Sequence, residues 1–360
     1  MLAFLAFVVG INVYLAKRFS FYFSSESTVP YYFLFAGLTV FLIGGLIAFS
    51  NTIGMLSNIL YSIAAVGMGF ILYLILSLVL VDILNLFIKL PPSAIGITAI
   101  LMAVMVSVYG LFNARNLQTI EMDVAIPGLK KEMRAMHLTD IHIGHWHGKK
   151  YLQQIVDETN KHHVDVIFIT GDLFDGKIRL NDENLEPLKQ LTAPVYFVEG
   201  NHDGYTGASN IKARLRRIGV HVLENQLVKL EDFQLIGLNH MLADENALDM
   251  HGSGEHATIR SVMADMEIDR TTPSILLHHS PDGMKYVNEK GIDLYLAGHT
   301  HAGQLFPINY LNDLLFAYNK GLHNYNGTQI YVSHGAGTFG PPMRVGTRSE
   351  ITLIKLIPKE

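Results

Sequence analysis

Aspartate, asparagine and histidine recur in five short motifs between residues 140 and 301. They are Asp140-Ile141-His142, Gly171-Asp172-Leu173-Phe174-Asp175, Gly200-Asn201-His202-Asp203, His279 two residues before Pro281, and Gly298-His299-Thr300-His301. Each follows an apolar run that ends at a small or turn-forming residue. Carboxylate, imidazole and amide ligands without sulfur suit manganese, iron or zinc in five- or six-coordinate sites. Two such ions roughly 3.5 to 4 Å apart share a carboxylate, lower the pKa of a water and clamp both oxygens of an in-line phosphoryl displacement. One Asp-x-His triplet would carry little weight, because Asp and Asn also favour turns. Five motifs at successive strand ends point to a two-metal hydrolytic centre. The glycines at 171, 200 and 298 predict sharp backbone turns beneath the ions.

The elements that must position these residues read as alternating strands and helices. Val164–Thr170 is short, β-branched and nearly all apolar, as expected of a strand covered on both faces, and Pro194–Val198, Ser274–Leu277 and Ile292–Ala297 are similar. Lys150–His162 carries Tyr151, Leu152, Ile155 and Val156 on one helical face, and Ala208–Ile218 repeats the pattern with Ile211, Leu215 and Ile218. This is the grammar of an α/β domain, in which ligands gather beyond the carboxyl ends of strands.

Charge divides the 360 residues at about position 115. Before Arg115 the only charged residues are Lys17, Arg18, Glu26, Asp82 and Lys89, whereas all 17 histidines lie beyond it. A bilayer core needs about 20 apolar residues per helix. Tyr31–Ser50, Ser93–Phe112 and Ile59–Val81 (running on to Lys89) meet that length, and Met1–Ala16 does so when extended through Phe19–Phe23. The expected organisation is a membrane domain of about four transmembrane helices over 1–114 and a catalytic domain over 115–360. Lys17 and Arg18 follow the first apolar run rather than precede it, which favours an uncleaved span over a signal peptide. With Lys17, Arg18 and Lys89 marking cytoplasmic loops, the catalytic domain is expected on the extracytoplasmic side. The absence of cysteine excludes thiolate metal sites and a cysteine nucleophile.

Over roughly Ile120 to Pro358 the chain resembles the calcineurin-like metallophosphoesterases, in particular their membrane-associated bacterial branch. The motifs above carry the resemblance, together with the closing segments Tyr331-Val332-Ser333-His334-Gly335-Ala336-Gly337-Thr338 and Gly340-Pro341-Pro342-Met343-Arg344. It implies a four-layer α/β fold with two β-sheets packed between helices. By motif it also implies that Asp140, His142 and His301 hold one divalent metal, that Asn201, His279 and His299 hold the other, and that Asp172 bridges. His202 would stand beside the scissile phosphate, Asp203 would orient it and Asp175 would support the site from behind. His279 is preferred to His278 because the family's ligand stands two residues before a proline. His334 departs from a usual arginine and Asn239-His240 from usual acidic residues. His334 and Arg344 are candidate substrate contacts.

Outside these motifs, His145 and His147 read as surface residues, with the site entrance as the alternative their place after the first motif allows, and His162 and His163 as structural residues at a helix end. His251 and His256 flank a candidate lid around Gly252-Ser253-Gly254. Lys212, Arg214, Arg216 and Arg217 read as a solvated cationic helix face, one that near a membrane would draw anionic groups. No basic–aromatic interleaving points to nucleic acid. The partners expected are the bilayer and a phosphodiester or pyrophosphate substrate, including a lipid-linked one. The alternatives are a non-catalytic metal-binding sensor or docking module on a membrane anchor, and spans that transport under a gating domain. The scarcity of ionisable residues in the spans weighs against transport.

Overall fold

The computed structural model describes residues 2–247 and 257–359, so His251, His256 and the glycine-rich loop between them lie outside the described residues. Two compact units are present: Met1–Asn113 with Gly340–Met343, and Ala114–Phe339 with Arg344–Glu360.

The first unit holds helices α1 (Leu2–Tyr22), α2 (Val29–Phe49), α3 (Met55–Ile88) and α4 (Pro92–Arg115), each long and apolar enough to cross a membrane. Asp82, the one acidic residue of these helices, forms an ion pair with Arg18 and accepts a hydrogen bond from the Tyr22 hydroxyl. Pairing is what makes a carboxylate tolerable in so apolar a setting.

The second unit begins at the end of α4. Its strands are β1 (Leu117–Pro127), β2 (Met133–Leu138), β3 (Val166–Thr170), β4 (Val195–Val198), β5 (His221–Val222), β6 (Gln226–Lys229), β7 (Gln234–Gly237), β8 (Ser274–Leu277), β9 (Leu294–Ala297), β10 (Gly321–Tyr325), β11 (Thr328–Val332) and β12 (Ser349–Lys359). Between them run α5 (Lys149–Lys161), α6 (Asp182–Leu185), α7 (Asn201–Thr206), α8 (Ala208–Arg217), α9 (Ile259–Asp265), α10 (Met284–Glu289) and α11 (Ile308–Leu315). One sheet has the order β1-β12-β2-β3-β4-β5 and the other β10-β11-β9-β8-β7-β6. Strands β2 to β5 are parallel, as are β7, β8, β9 and β11.

Period-two alternation builds the layers. In β3, Ile167 and Ile169 face a core shared with Leu152, Ile155 and Val156 of α5 and Ile211 and Leu215 of α8. Val166 and Phe168 point the other way, onto Ile275, Leu277, Leu294 and Leu296 of the opposing sheet. Leu276 of β8 and Tyr295 of β9 then face Ile259 and Met263 of α9 and Val287 of α10. Helices, sheet, sheet and helices make four layers, as the family resemblance implied.

The basic run on α8 is not a free cationic face. Lys212 is buried between Glu199 (2.9 Å) and Glu224 (2.5 Å), Arg216 also meets Glu224, and both Arg214 and Arg217 meet Asp182. The carboxylates come from β4, from the β5–β6 connection and from α6, out of reach of any reading of the helix alone.

Candidate metal centre

Every motif sits just beyond the carboxyl end of a strand: Asp140 after β2, Asp172 after β3, Asn201 after β4, His279 after β8 and His299 after β9. The first three strands belong to one sheet and the last two to the other, so the residues meet where both sheets end. The chain must reverse there within one or two residues. Asp140 (φ 52°), His142 (φ 51°), Asp172 (φ 51°), His299 (φ 73°) and His301 (φ 49°) all lie in the left-handed region, which is costly for residues with a Cβ and concentrates at functional sites.

Of the three preceding glycines only Gly171 turns in this way, at φ 86°. Gly200 and Gly298 are required for a different reason: a Cβ would lie 2.1 Å from Asp172 Oδ1 at the first and 2.2 Å from Asp140 Oδ2 at the second. These two glycines make room for carboxylates rather than for a turn.

The ligand atoms converge. His301 Nε2 lies 3.0 Å from His142 Nε2 and 3.2 Å from Asp140 Oδ1. His279 Nε2 lies 3.2 Å from Asp172 Oδ2 and 3.9 Å from Asp140 Oδ1. Asp172 Oδ2 is also 3.7 Å from His142 Nε2, so this carboxylate stands between the two groups. His299 Nδ1 meets Asn201 Oδ1 at 3.0 Å, and its ring centroid is 5.0 Å from that of His279.

Several supports hold the cluster. The His299 backbone N–H donates to Asp140 Oδ2 at 3.0 Å, and the His202 N–H to Asp172 Oδ1 at 2.8 Å. His279 Nδ1 donates to the Thr170 carbonyl at 2.7 Å, which orients the ring and turns Nε2 to Asp172. His278 is occupied otherwise, with Nδ1 between the Ser280 carbonyl and the Tyr295 hydroxyl and Nε2 accepting from the Met241 N–H. The cluster contains His279 and not its neighbour.

Electrostatics fit cations. Burial pushes Asp140 and Asp172 toward their neutral forms, but the charge of His301 on the first and of His279 on the second outweighs it and holds both carboxyls well below their usual range. Burial, reinforced by the neighbouring His202 charge, lowers His142 to about 3, leaving a neutral imidazole. Burial disfavours the His279 cation too, yet the Asp172 charge raises this ring to about 9. Two buried ionised carboxylates facing imidazole nitrogens at these separations are donors of the kind that suit a divalent metal. Asp140 with His142 and His301, and Asp140 with Asp172 and His279, each offer three ligand atoms within 4.8 Å of one another.

Residues 133–303 match the calcineurin-like phosphoesterase family. The chain carries a calcineurin-like phosphoesterase domain. It is 37% identical over 243 residues to an uncharacterized metallophosphoesterase of Helicobacter pylori, which covers 66% of this chain and 64% of that one. It is 34% identical over 278 residues to a transmembrane protein with metallophosphoesterase domain of Danio rerio, over 72% of this chain and 62% of that one. The chain thus spans slightly under two thirds of the length of these relatives. Among solved structures it is similar to a dimetal phosphatase of Danio rerio at 12% identity and a TM-score of 0.35, over 56% of this chain and 87% of that one.

Within the phosphoesterase domain the residues around His202 exchange their expected parts. Asp175, not Asp203, meets the ring: its Oδ1 lies 3.0 Å from His202 Nδ1. Asp203 instead accepts from the backbone N–H groups of Gly200 and Phe174, both at 3.0 Å, and so ties the second and third motifs together beneath the site. α7 starts at Asn201 and sends Asp203 inward, onto a different side of the helix from the His202 ring that precedes it. Burial and the Asp172 charge push Asp203 up to about 7. For His202, burial disfavours the cation, but the Asp172 charge and the hydrogen bond and charge of Asp175 outweigh it and raise the ring to about 9.

A cation held at Asp172 would offset that carboxylate's pull and leave Asp175 as the group keeping His202 protonated. Asp175→Asn should therefore lower the His202 pKa and move the alkaline limb of the kcat–pH profile down by about one unit or more. A limb that stays in place would separate Asp175 from the acid.

Arg344, a candidate substrate contact, points into the protein interior. It is fully buried, donates to the carbonyls of His334 (2.6 Å), Gly335 (3.1 Å) and Gly337 (2.7 Å), and reaches within 3.2 Å of His301 Nδ1. Burial lowers it to about 10, still cationic at neutral pH, and it braces the closing segment beneath the cluster. His334 joins none of the converging ligand groups; its carbonyl serves Arg344 and its N–H serves Glu350.

His145 and His147 are buried rather than on the surface, His147 stacking on Tyr151 at 4.2 Å between centroids. His162 caps α5 and meets Glu158 at 3.4 Å, the structural part expected of it.

Sequence reading passed over Phe339, which stands between the two closing segments. Its ring centroid is 4.9 Å from His301 and 6.1 Å from His202, and it is 43% exposed, an aromatic wall at the mouth of the site. His240, noted only as a departure from the family pattern, lies 5.9 Å from His279 and 6.0 Å from His299 by ring centroids. Its signal was its position beside Asn239 at the end of β7.

Proposed function

We propose that the chain is a membrane-anchored, dinuclear-metal phosphoesterase that hydrolyses phosphodiester or pyrophosphate bonds. The observation that carries this reading is the position of Asp172, whose carboxylate stands between the His142 and His279 nitrogens while its other oxygen fixes the His202 backbone. Asp140, His142 and His301 would hold one ion, and Asn201, His279 and His299 the other, with Asp172 between them. Manganese, iron and zinc all suit these donors. Ions held there supply an activated water and neutralise charge on the phosphoryl group.

The chain's own residues do the rest. His202, kept cationic by Asp175, approaches the phosphate as a hydrogen-bond donor and passes its proton to the leaving oxygen. Phe339 walls off the His301 side from water. The four apolar helices anchor the domain, and the distribution of Lys17, Arg18 and Lys89 favours an extracytoplasmic catalytic unit, which protease access in intact cells decides.

The deciding experiment is hydrolysis of a chromogenic phosphodiester and a phosphomonoester by the purified full chain. It is run after chelation and again with manganese, zinc or iron restored. Turnover restored by metal supports the reading, and the preferred ester narrows the substrate class. Metal binding without turnover on any ester would favour the sensor or docking alternative.

A further inference from the structure

Helix α11 is amphipathic in the wrong sense for a soluble domain. Two of its polar residues turn to the protein: Asn309 is buried and Asn312 Nδ2 donates to the Thr300 carbonyl at 3.1 Å, while the exposed Asp313 at the edge accepts from Asn319 and Lys320. Its apolar side faces out. Tyr310 is 62% exposed, Leu311 53%, Leu314 84% and Leu315 64%, and Phe306 and Ile308 extend the same patch. A surface helix ordinarily turns such residues toward the core, and contiguous exposed apolar patches mark interaction sites.

Two further observations say what covers this one. Four helices of the same chain are long and apolar enough to span a bilayer, and one residue separates the end of the last from β1, so a short covalent tether raises the effective concentration of lipid at the domain. The patch also has the composition of an interfacial helix: aliphatic residues with Phe306 and Tyr310, and Asp313 as the only charge between Leu305 and Asn319.

The helix leads to the metal centre. Thr300, which Asn312 grips, lies between the ligand candidates His299 and His301, and its hydroxyl donates to the Asn319 carbonyl at 2.6 Å. At the end of α11, Leu315 and Phe316 line a cavity of about 520 Å³ that also touches Met241, Leu242, Met284 and His299. The Phe316 ring centroid is 6.0 Å from that of His299. A largely apolar cavity, with His240, Ser280 and Asp282 also in its wall, thus lies beside the candidate metal centre and ends on a helix whose outer face is apolar.

We propose that α11 lies in the lipid interface and that this cavity receives the acyl part of a membrane-lipid phosphoester whose phosphate reaches the metal centre. The proposal rests on the phosphoesterase reading for the second half only. Since the chain has no cysteine, Leu314→Cys and, as an exposed control, Lys189→Cys give unique nitroxide labels on the full chain in phosphatidylethanolamine–phosphatidylglycerol vesicles. Collisions with oxygen and with an aqueous nickel chelate are then compared by power saturation.

The label at 314 is expected about 5–10 Å inside the headgroup boundary, with oxygen favoured over the chelate, and the label at 189 in water. A water-exposed label at 314 overturns the proposal. So does one shielded from both probes, which would mean protein, such as a second copy, on that face; equal depth at both positions does the same. Leu311→Cys repeats the test should Leu314→Cys fold poorly. For the cavity, the Kd of methyl, butyl and hexyl phosphonate is measured on the metal-loaded chain. Each methylene that enters is expected to tighten binding by up to about fourfold, and a flat series overturns the acyl assignment. A deep label without metal-dependent hydrolysis would remove the phosphoesterase reading alone, and hydrolysis with a water-exposed label would remove the lipid inference alone.

Discussion

Asp172→Asn is expected to lose bound metal and hydrolytic activity together. Asp172 Oδ2 lies 3.2 Å from His279 Nε2 and 3.7 Å from His142 Nε2, so one charge serves both groups of ligand atoms. Asparagine keeps the shape and the acceptor that holds the His202 N–H. It removes the charge and turns an amide donor or a neutral oxygen toward the imidazoles. Cation affinity should fall at both positions, because the ion–ion repulsion that a shared carboxylate offsets would return. A loss of about 10³-fold in kcat/KM, roughly 4 kcal/mol at the transition state, should accompany a drop in metal content of the washed protein measured by mass spectrometry. Full activity with Asp172→Asn would overturn the bridging assignment.

His202→Ala should separate metal from chemistry. His202 Nδ1 is taken by Asp175 at 3.0 Å, and its ring stands edge-on to His142 with centroids 4.8 Å apart. It therefore borders the ligand cluster with one nitrogen free to meet a leaving group. Removing a general acid costs about 10²- to 10⁴-fold in turnover, and both ions should remain bound. The loss should be largest for esters with basic leaving groups and small for nitrophenolate, which departs without a proton. The competing possibility is explicit in the geometry, since His142, Asp175 and His202 also form a group of converging ligand atoms. Metal loss in proportion to activity, with no dependence on the leaving group, would make His202 a ligand.

Much of the layered core was legible in advance because buried parallel strands leave near-continuous apolar runs. Val195–Val198, Ser274–Leu277 and Leu294–Ala297 fall inside the runs read as strands, and α5 and α8 within a residue of the expected helices. β3 starts two residues later than its run, because the Asp165 side chain turns back to accept from the Arg134 N–H at 2.7 Å. The long parallel pair β1 and β12 went unread. Eleven residues at each end of the domain pair in register across more than 220 positions, a partnership that no local window contains.

Residue type and order along the chain determined the long apolar helices, the alternation of strands and helices and which polar motifs stand at strand ends, because apolar runs and strand-end motifs are local properties. Tertiary structure alone decided which carboxylate holds His202, which glycines yield space rather than a turn, that Arg344 is a buried brace and that the α8 cations meet carboxylates from other elements. It alone showed the apolar face of α11. Each of these depends on what stands opposite a side chain, and the opposing group comes from an element tens of residues or more away, brought near only when the two sheets close on one another.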